Sequence, residues 1–152
     1  MAKSWGVRTD LARGTFQAPL HALPELFRPL VDRMRATVAC LKDFRPNEAN
    51  AIDYQRERGD FLAAHCDHRQ LSGKVLVNLC LAGAATMTYQ RDKAPPHEFR
   101  VRLGRRALQV QSGCVRYDFS HGIAHADLHD ERRVSVTFRQ DRDADANSQH
   151  CM

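Results

Sequence analysis

The sequence has no apolar run near the roughly 20 residues needed to span a bilayer, so no membrane-embedded helix is expected. Its opening stretch, MAKSWGVRTDLARG, lacks the apolar h-region of a secretory signal. The five cysteines, Cys40, Cys66, Cys80, Cys114 and Cys151, are odd in number and form no CxxC pair. That argues against a zinc ribbon and offers no disulfide framework, so an intracellular location, cytoplasm or nucleus, is the expectation. There is no internal repeat and no low-complexity stretch. The single tryptophan, Trp5, lies outside any aromatic-rich loop that could stack an extruded base. No helix-length crossover separates the strand-like segments, which weighs against parallel βαβ units.

What is present fits one domain. The chain has 152 residues, 43% of them hydrophobic, enough for a single core and not for two. The net charge is +5, and because the tail DRDADANSQHCM carries three Asp against one Arg, residues 1–140 stand at about +7. Such a surface could attract nucleic acid or an acidic protein. The basic residues are scattered among acids, however, and an ordinary solvated surface accounts for them equally. Nothing in the pattern indicates an oligomeric state.

Residues 1–20 mix Gly, Pro and polar residues without period and read as a loose arm. From Pro24 to Lys42, Leu30, Met34, Val38 and Leu41 recur at helical spacing and form one apolar stripe. Pro29 suits a first turn, and DFRPNE ends the helix. Strand-like segments follow at Ala51–Tyr54, Phe61–Asp67, Lys74–Leu81, Ala85–Gln90, Phe99–Leu103, Ala107–Val110, Val115–Phe119 and Arg132–Arg139, separated by turn residues such as DKAPP and SG. Residues 141–152 read as a polar tail. One leading helix and about eight short strands predict a mainly β protein of sandwich or jelly-roll type, with 21–140 as its single domain.

Three groups of residues could carry chemistry. In a strand, residues two apart face the same side, so His65 and Asp67 would converge while Cys66 turns away as a packed small side chain. An imidazole and a carboxylate are two-thirds of the 2-His-1-carboxylate set that holds non-haem Fe(II) and leaves positions open. A second His must come from a distant strand, and spacing alone does not choose between His121, beside Gly122, and His125. In RRVSVTFR, Arg133, Ser135, Thr137 and Arg139 share one face and Val134, Val136 and Phe138 the other. Two guanidinium groups on one face, about 20 Å apart along a straight strand, suit a dicarboxylate, although a solvated edge face would show the same alternation.

The ordered set NAIDY, HCD, RYDFSHGI and RRVSVTFRQ resembles the AlkB family of Fe(II)/2-oxoglutarate dioxygenases over residues 44–140. FRPNEANAIDYQRERGD and LSGKVLVNLCL look most like the subgroup of the fourth human AlkB homologue and its plant counterparts. The resemblance implies a double-stranded β-helix (jelly-roll) core with one or two supporting N-terminal helices. It implies that His65, Asp67 and His121 bind Fe(II) and act in catalysis. It implies that Arg133, Ser135 and Tyr54 hold the far carboxylate of 2-oxoglutarate, with Arg139 closer to the metal. The activity implied is O2-dependent oxidative demethylation of N-methyl groups on protein lysine or nucleic acid, releasing succinate, CO2 and formaldehyde. Many family members carry Asn two residues before the tyrosine, where this chain has Ile52, and the subgroup often has a second acid where this chain has His68. Only about 45 residues precede the core, so a short substrate lid is expected. Two other readings fit the residues: a binding or regulatory module that keeps the fold without turnover, and a structural zinc site using His68 as a fourth ligand.

Overall fold

The computed structural model describes residues 1–10, 15–17, 22–91 and 93–141. Its framework is two antiparallel sheets laid face to face, the double-stranded β-helix expected. The larger sheet has the order β1 (Ala2–Gly6), β4 (Glu48–Gln55), β11 (Arg132–Asp141), β6 (Ser72–Ala82), β9 (Leu108–Gln111). The smaller has the order β5 (Leu62–His65), β10 (Ser120–Ile123), β7 (Ala85–Arg91), β8 (His97–Leu103). Strands β2 (Arg8–Asp10) and β3 (Thr15–Gln17) form a separate hairpin.

Each face of the larger sheet has its own job. On the outer face, Ala49, Val77, Val136 and Phe138 are buried under the helix α1 (Arg28–Thr37) and its flanking turns, which supply Phe27, Met34, Leu41 and Phe44. Phe27 meets both Phe138 and Trp5 edge-on, with ring centroids 5.2 and 5.4 Å apart. The predicted stripe is the packed one: Met34 and Leu41 are buried, and Leu30 and Val38 lie against the same cluster. The helix is shorter than Pro24–Lys42, because its ends tighten into 3-10 turns at Glu25–Phe27 and Ala39–Leu41. On the inner face, β4 and β11 turn Tyr54, Arg133 and Ser135 toward the smaller sheet. There Tyr54 joins Met87, Tyr89, Leu103, Phe119 and Ile123 in the core between the sheets.

Two expectations are corrected. Residues 2–6 are no loose arm: they pair antiparallel with Ile52 to Glu48, and Trp5 packs against the helix cluster. Described residues 8–10 and 15–17 pair with one another as well, whereas 11–14 and 18–21 lie outside the described residues, as do 142–152 of the predicted tail. Second, Val115–Phe119 is not a strand. Residues Gly113–Asp118 form a short helix, α2, and the strand β10 that follows carries His121 within it instead of just beyond a strand end.

Candidate functional site

The site sits between the sheets, at the end where β5 and β10 face β11. His65 closes β5 and His121 lies opposite it as its cross-strand partner on β10. The two rings stand 4.5 Å apart between centroids. Such close approach needs Gly122: a Cβ there would lie 2.9 Å from the Leu62 carbonyl oxygen and 3.0 Å from Ala64 Cα. Asp67 lies two residues beyond the end of β5, in irregular chain, and its carboxylate still turns toward the histidines. One ligand atom from each of His65, Asp67 and His121 lies within 4.8 Å of the others. The His121 Nε2 to Asp67 Oδ2 distance is 3.7 Å.

The electrostatics suit a cation. Burial, reinforced by the facing His65, pulls His121 from its ordinary 6.5 down to about 4, so its ring is neutral and offers a lone pair. Burial works to raise Asp67, but the Arg139 guanidinium, with His121 beside it, overrides this and holds the carboxyl below the usual carboxylate range. Arg139 donates to Asp67 Oδ1 from Nε at 3.1 Å and from Nη2 at 2.7 Å, which leaves Oδ2 on the histidine side. Its Nη1 is 3.7 Å from Glu48 Oε1, a buried carboxylate that also accepts a 2.6 Å bond from the Asn50 amide. Two imidazoles, that of His121 held neutral, and one ionised carboxylate converging on a point fit a divalent transition metal such as Fe(II) with positions left open.

The same cavity is lined farther along by Tyr54, Asn78, Arg133, Ser135 and Thr137. Arg133 is 1% exposed, a depth at which a guanidinium is costly without a counter-charge. Its partners are all neutral: Nη1 donates to Ser135 Oγ at 2.9 Å, Nη2 reaches Asn78 Oδ1 at 3.4 Å, and the charge lies 5.5 Å over the Tyr54 ring. Its Nε, also buried, has no hydrogen-bond partner among the described residues, and the neutral Cys80 thiol lies beside the same guanidinium. Burial raises the Tyr54 pKa, so its hydroxyl keeps its proton and can donate. A buried cation with an idle N–H, a phenol and a serine along one wall fit the carboxylate of an organic acid.

All seven residues singled out in the sequence line this cavity. Among the described residues, His125 is not part of the group: its Nδ1 faces the Asp60 carbonyl at 3.3 Å in a separate turn. His68 is not part of it either, since its Nδ1 accepts from the backbone N–H groups of Gln70 and Leu71. A four-ligand zinc site therefore loses its fourth member. Cys66 turns its thiol to the Phe119 carbonyl at 3.2 Å, away from the metal-ligating atoms. Three residues escaped the sequence reading. Asn78 supplies the amide beside Arg133 that Ile52 does not, and the alternation of KVLVNLCL could have marked it once β6 was known to face inward. Glu48 lies directly across from Arg139 in the sheet. Arg116 falls in the segment taken for a strand.

Comparison with known proteins agrees with this geometry. The family model of the 2OG-Fe(II) oxygenase superfamily matches residues 10–139. Alpha-ketoglutarate-dependent dioxygenase alkB homolog 4 of Mus musculus is 29% identical over 153 residues, covering 81% of this chain and 50% of that protein. Its counterpart from Homo sapiens is 30% identical over 147 residues, covering 78% and 48%. The chain thus spans about half the length of the curated relatives it matches. A solved structure of OsALKBH1 superposes with a TM-score of 0.68 at 18% identity, over 91% of this chain and 77% of that one, a likeness of fold. With a family model matched over residues 10–139, most of its length, the chain belongs to the 2OG-Fe(II) oxygenase superfamily, whose members use Fe(II) and 2-oxoglutarate, and within it the chain is similar to the alkB homolog 4 proteins.

Proposed function

We propose that this protein is an Fe(II)- and 2-oxoglutarate-dependent dioxygenase that removes N-methyl groups from protein lysine or nucleic acid. The observation that carries the reading is the shared cavity: three metal-ligating atoms within 4.8 Å of one another, and a buried Arg133 with an idle N–H along the same wall. His65, Asp67 and His121 hold the iron. Arg133, Ser135 and Tyr54 hold the far carboxylate of 2-oxoglutarate and so fix the length and direction of the co-substrate. Arg139 keeps Asp67 ionised and pointed, and lies toward the metal end of the cavity.

Bound iron and 2-oxoglutarate together supply the oxidation, in which O2 is divided between succinate and a hydroxyl placed on the N-methyl carbon, with loss of CO2 and then of formaldehyde. The chain's part is positioning. Neutral His121 donates without first losing a proton at neutral pH, so the site is preorganised for metal. Arg133 brings a charge that does not titrate, matched to a dianionic ligand. The apolar neighbours Ile52, Leu62, Leu76, Met87 and Ile123 line the remaining wall and limit water around the reacting centre.

The choice of N-methyl substrate is supported by the similarity to the alkB homolog 4 proteins and by the basic charge of the chain. The test is succinate and formaldehyde release, measured together with trimethyl- and monomethyl-lysine peptides and with methylated DNA and RNA oligonucleotides. Equal amounts of the two products with any of these supports the reading. Succinate without formaldehyde from every one of them overturns demethylation and leaves a hydroxylase. Neither product overturns turnover altogether and leaves a binding module.

A further inference from the structure

Asp67 is the one member of the metal-ligating group that no strand holds, because β5 ends at His65. A ligand on irregular chain must be fixed by other means, since an error of about 1 Å in a first ligand is enough to spoil a site. Arg139 on β11 holds the Asp67 carboxylate, but the main chain from Cys66 to Arg69 is fastened to the short helix α2 and to Phe119, the residue that joins α2 to β10. Arg116, in the last turn of α2, donates from Nη1 to the carbonyl of Asp67 at 2.9 Å and from Nη2 to the carbonyl of His68 at 2.8 Å. In return, Arg69 Nε donates to the Tyr117 carbonyl at 2.7 Å, and the Cys66 thiol reaches the Phe119 carbonyl.

Arg116 is 2% exposed, and its Nε has no hydrogen-bond partner among the described residues. Among the described residues no carboxylate bonds to it; its two hydrogen bonds go to main-chain oxygens. An apolar side chain of similar volume would fill the same space without the desolvation cost of a charge. What the guanidinium adds is geometric. Its planar fork spans two successive carbonyls, those of the peptides on either side of His68, which ties down the main chain leaving Asp67 and so limits the direction of the Asp67 side chain. Because α2 runs directly into β10, the same residue sets the distance between the Asp67 loop and His121, two ligands 54 residues apart in sequence.

We infer that Arg116 is a positioning residue, a clamp on the Asp67–His68 main chain that holds the Asp67 carboxylate in register with His65 and His121 for metal binding. The inference rests on the reading of those three residues as the metal ligands. Lysine cannot replace the fork, since a single ammonium holds one carbonyl well and not both at once in a fixed geometry.

The experiment measures Mn(II) affinity of the full chain by electron paramagnetic resonance, together with the d–d absorption of the Co(II)-loaded protein, for wild type, Arg116→Met, Arg116→Lys and Phe138→Leu. Phe138 lies in the helix-side cluster and serves as a control for general loss of stability. The expected result is a Kd for Mn(II) raised at least tenfold in Arg116→Met and several-fold in Arg116→Lys. The Co(II) spectrum should shift in both, whereas Phe138→Leu keeps the wild-type Kd and spectrum. Should Arg116→Met fail to fold, Arg116→Lys carries the test with the same readouts. Wild-type Kd and spectrum in the folded Arg116 variants overturn the clamp and leave the metal site standing. A weakening matched by Phe138→Leu overturns it as well, by reducing Arg116 to ordinary packing. No Mn(II) binding by wild type removes the ligand reading itself, and the clamp with it.

Discussion

Replacing Arg133 by Met should separate co-substrate binding from folding in opposite directions. Arg133 is fully enclosed, yet its partners are a serine hydroxyl, an amide oxygen and an aromatic face, none of them a counter-charge. In the absence of co-substrate the charge is therefore costly, and removing it relieves desolvation while leaving Ser135 short of one bond. Asn78 keeps its 2.8 Å bond to Thr137 Oγ1. The two effects are each about 1–3 kcal/mol and opposite in sign, so the unfolding free energy should stay within about 1 kcal/mol of wild type. Binding should respond very differently. Two charge-assisted hydrogen bonds to a carboxylate, at about 1.5–3 kcal/mol each, amount to a rise of at least ~100-fold in the Kd for 2-oxoglutarate. The assay is calorimetric titration of 2-oxoglutarate into the Mn(II)-loaded protein under anaerobic conditions, beside a urea denaturation of the same samples. An Arg133→Met protein that binds 2-oxoglutarate as tightly as wild type would refute the assignment of this strand face. A large loss of stability would refute the view of Arg133 as a cation waiting for its anion.

Three other outcomes follow from the same geometry. The metal-free protein should lose stability on acidification from pH 7 to 5. His121, facing His65, Asp67, Arg139 and Arg116, holds off its proton until about 4, whereas the unfolded chain accepts one near 6.5, so acid favours unfolding by about 2 kcal/mol over that interval. Urea midpoints in EDTA at the two pH values check this, and a His121→Gln protein should show a shallower dependence; equal midpoints for wild type would contradict it. Gly122→Ala should destabilise by about 1–3 kcal/mol, because the new methyl meets backbone atoms of Leu62 and Ala64 that cannot swing aside. A thermal melt unchanged from wild type would show that β5 and β10 separate easily. Arg139→Met should weaken metal binding while Arg139→Lys recovers part of it, because the guanidinium is what holds Asp67 ionised and directed. Mn(II) titration reads the difference, and equal affinity in all three proteins would sink the role.

Much of the framework could be read from local pattern. The stripe of Leu30, Met34, Val38 and Leu41 needs only a helical period and an apolar partner, and it found one in Val136 and Phe138. The alternation in RRVSVTFR assigned the two faces of β11 correctly, because a central strand between two different environments must keep its register. The failures come where a long-range contact decides. Val115, Tyr117 and Phe119 alternate as a strand would, yet Val115 and Phe119 are equally spaced for a helical turn, and the helix is tied by Arg116 to carbonyls 49 and 48 residues away. The strand Ala2–Gly6 has little period of its own; it is ordered by pairing with β4 and by Trp5 against Phe27. Within the site, spacing marked His65 with Asp67 but could not choose His121 over His125, and the resemblance to AlkB proteins made that choice. The i, i+2 reasoning also relied on a strand reaching Asp67, whereas the strand stops at His65, and bonds to α2, to Phe119 and from Arg139 on β11 do the rest.

The most direct test of the account is an anaerobic titration of the wild-type chain with Fe(II) and 2-oxoglutarate, followed by absorption spectroscopy, with His121→Ala as its partner. A weak visible charge-transfer band that saturates at one equivalent of each, and is absent from a folded His121→Ala protein, is the predicted result. A folded wild-type protein that develops no band, or a His121→Ala protein that develops the same one, would contradict the assignment of the iron and co-substrate site.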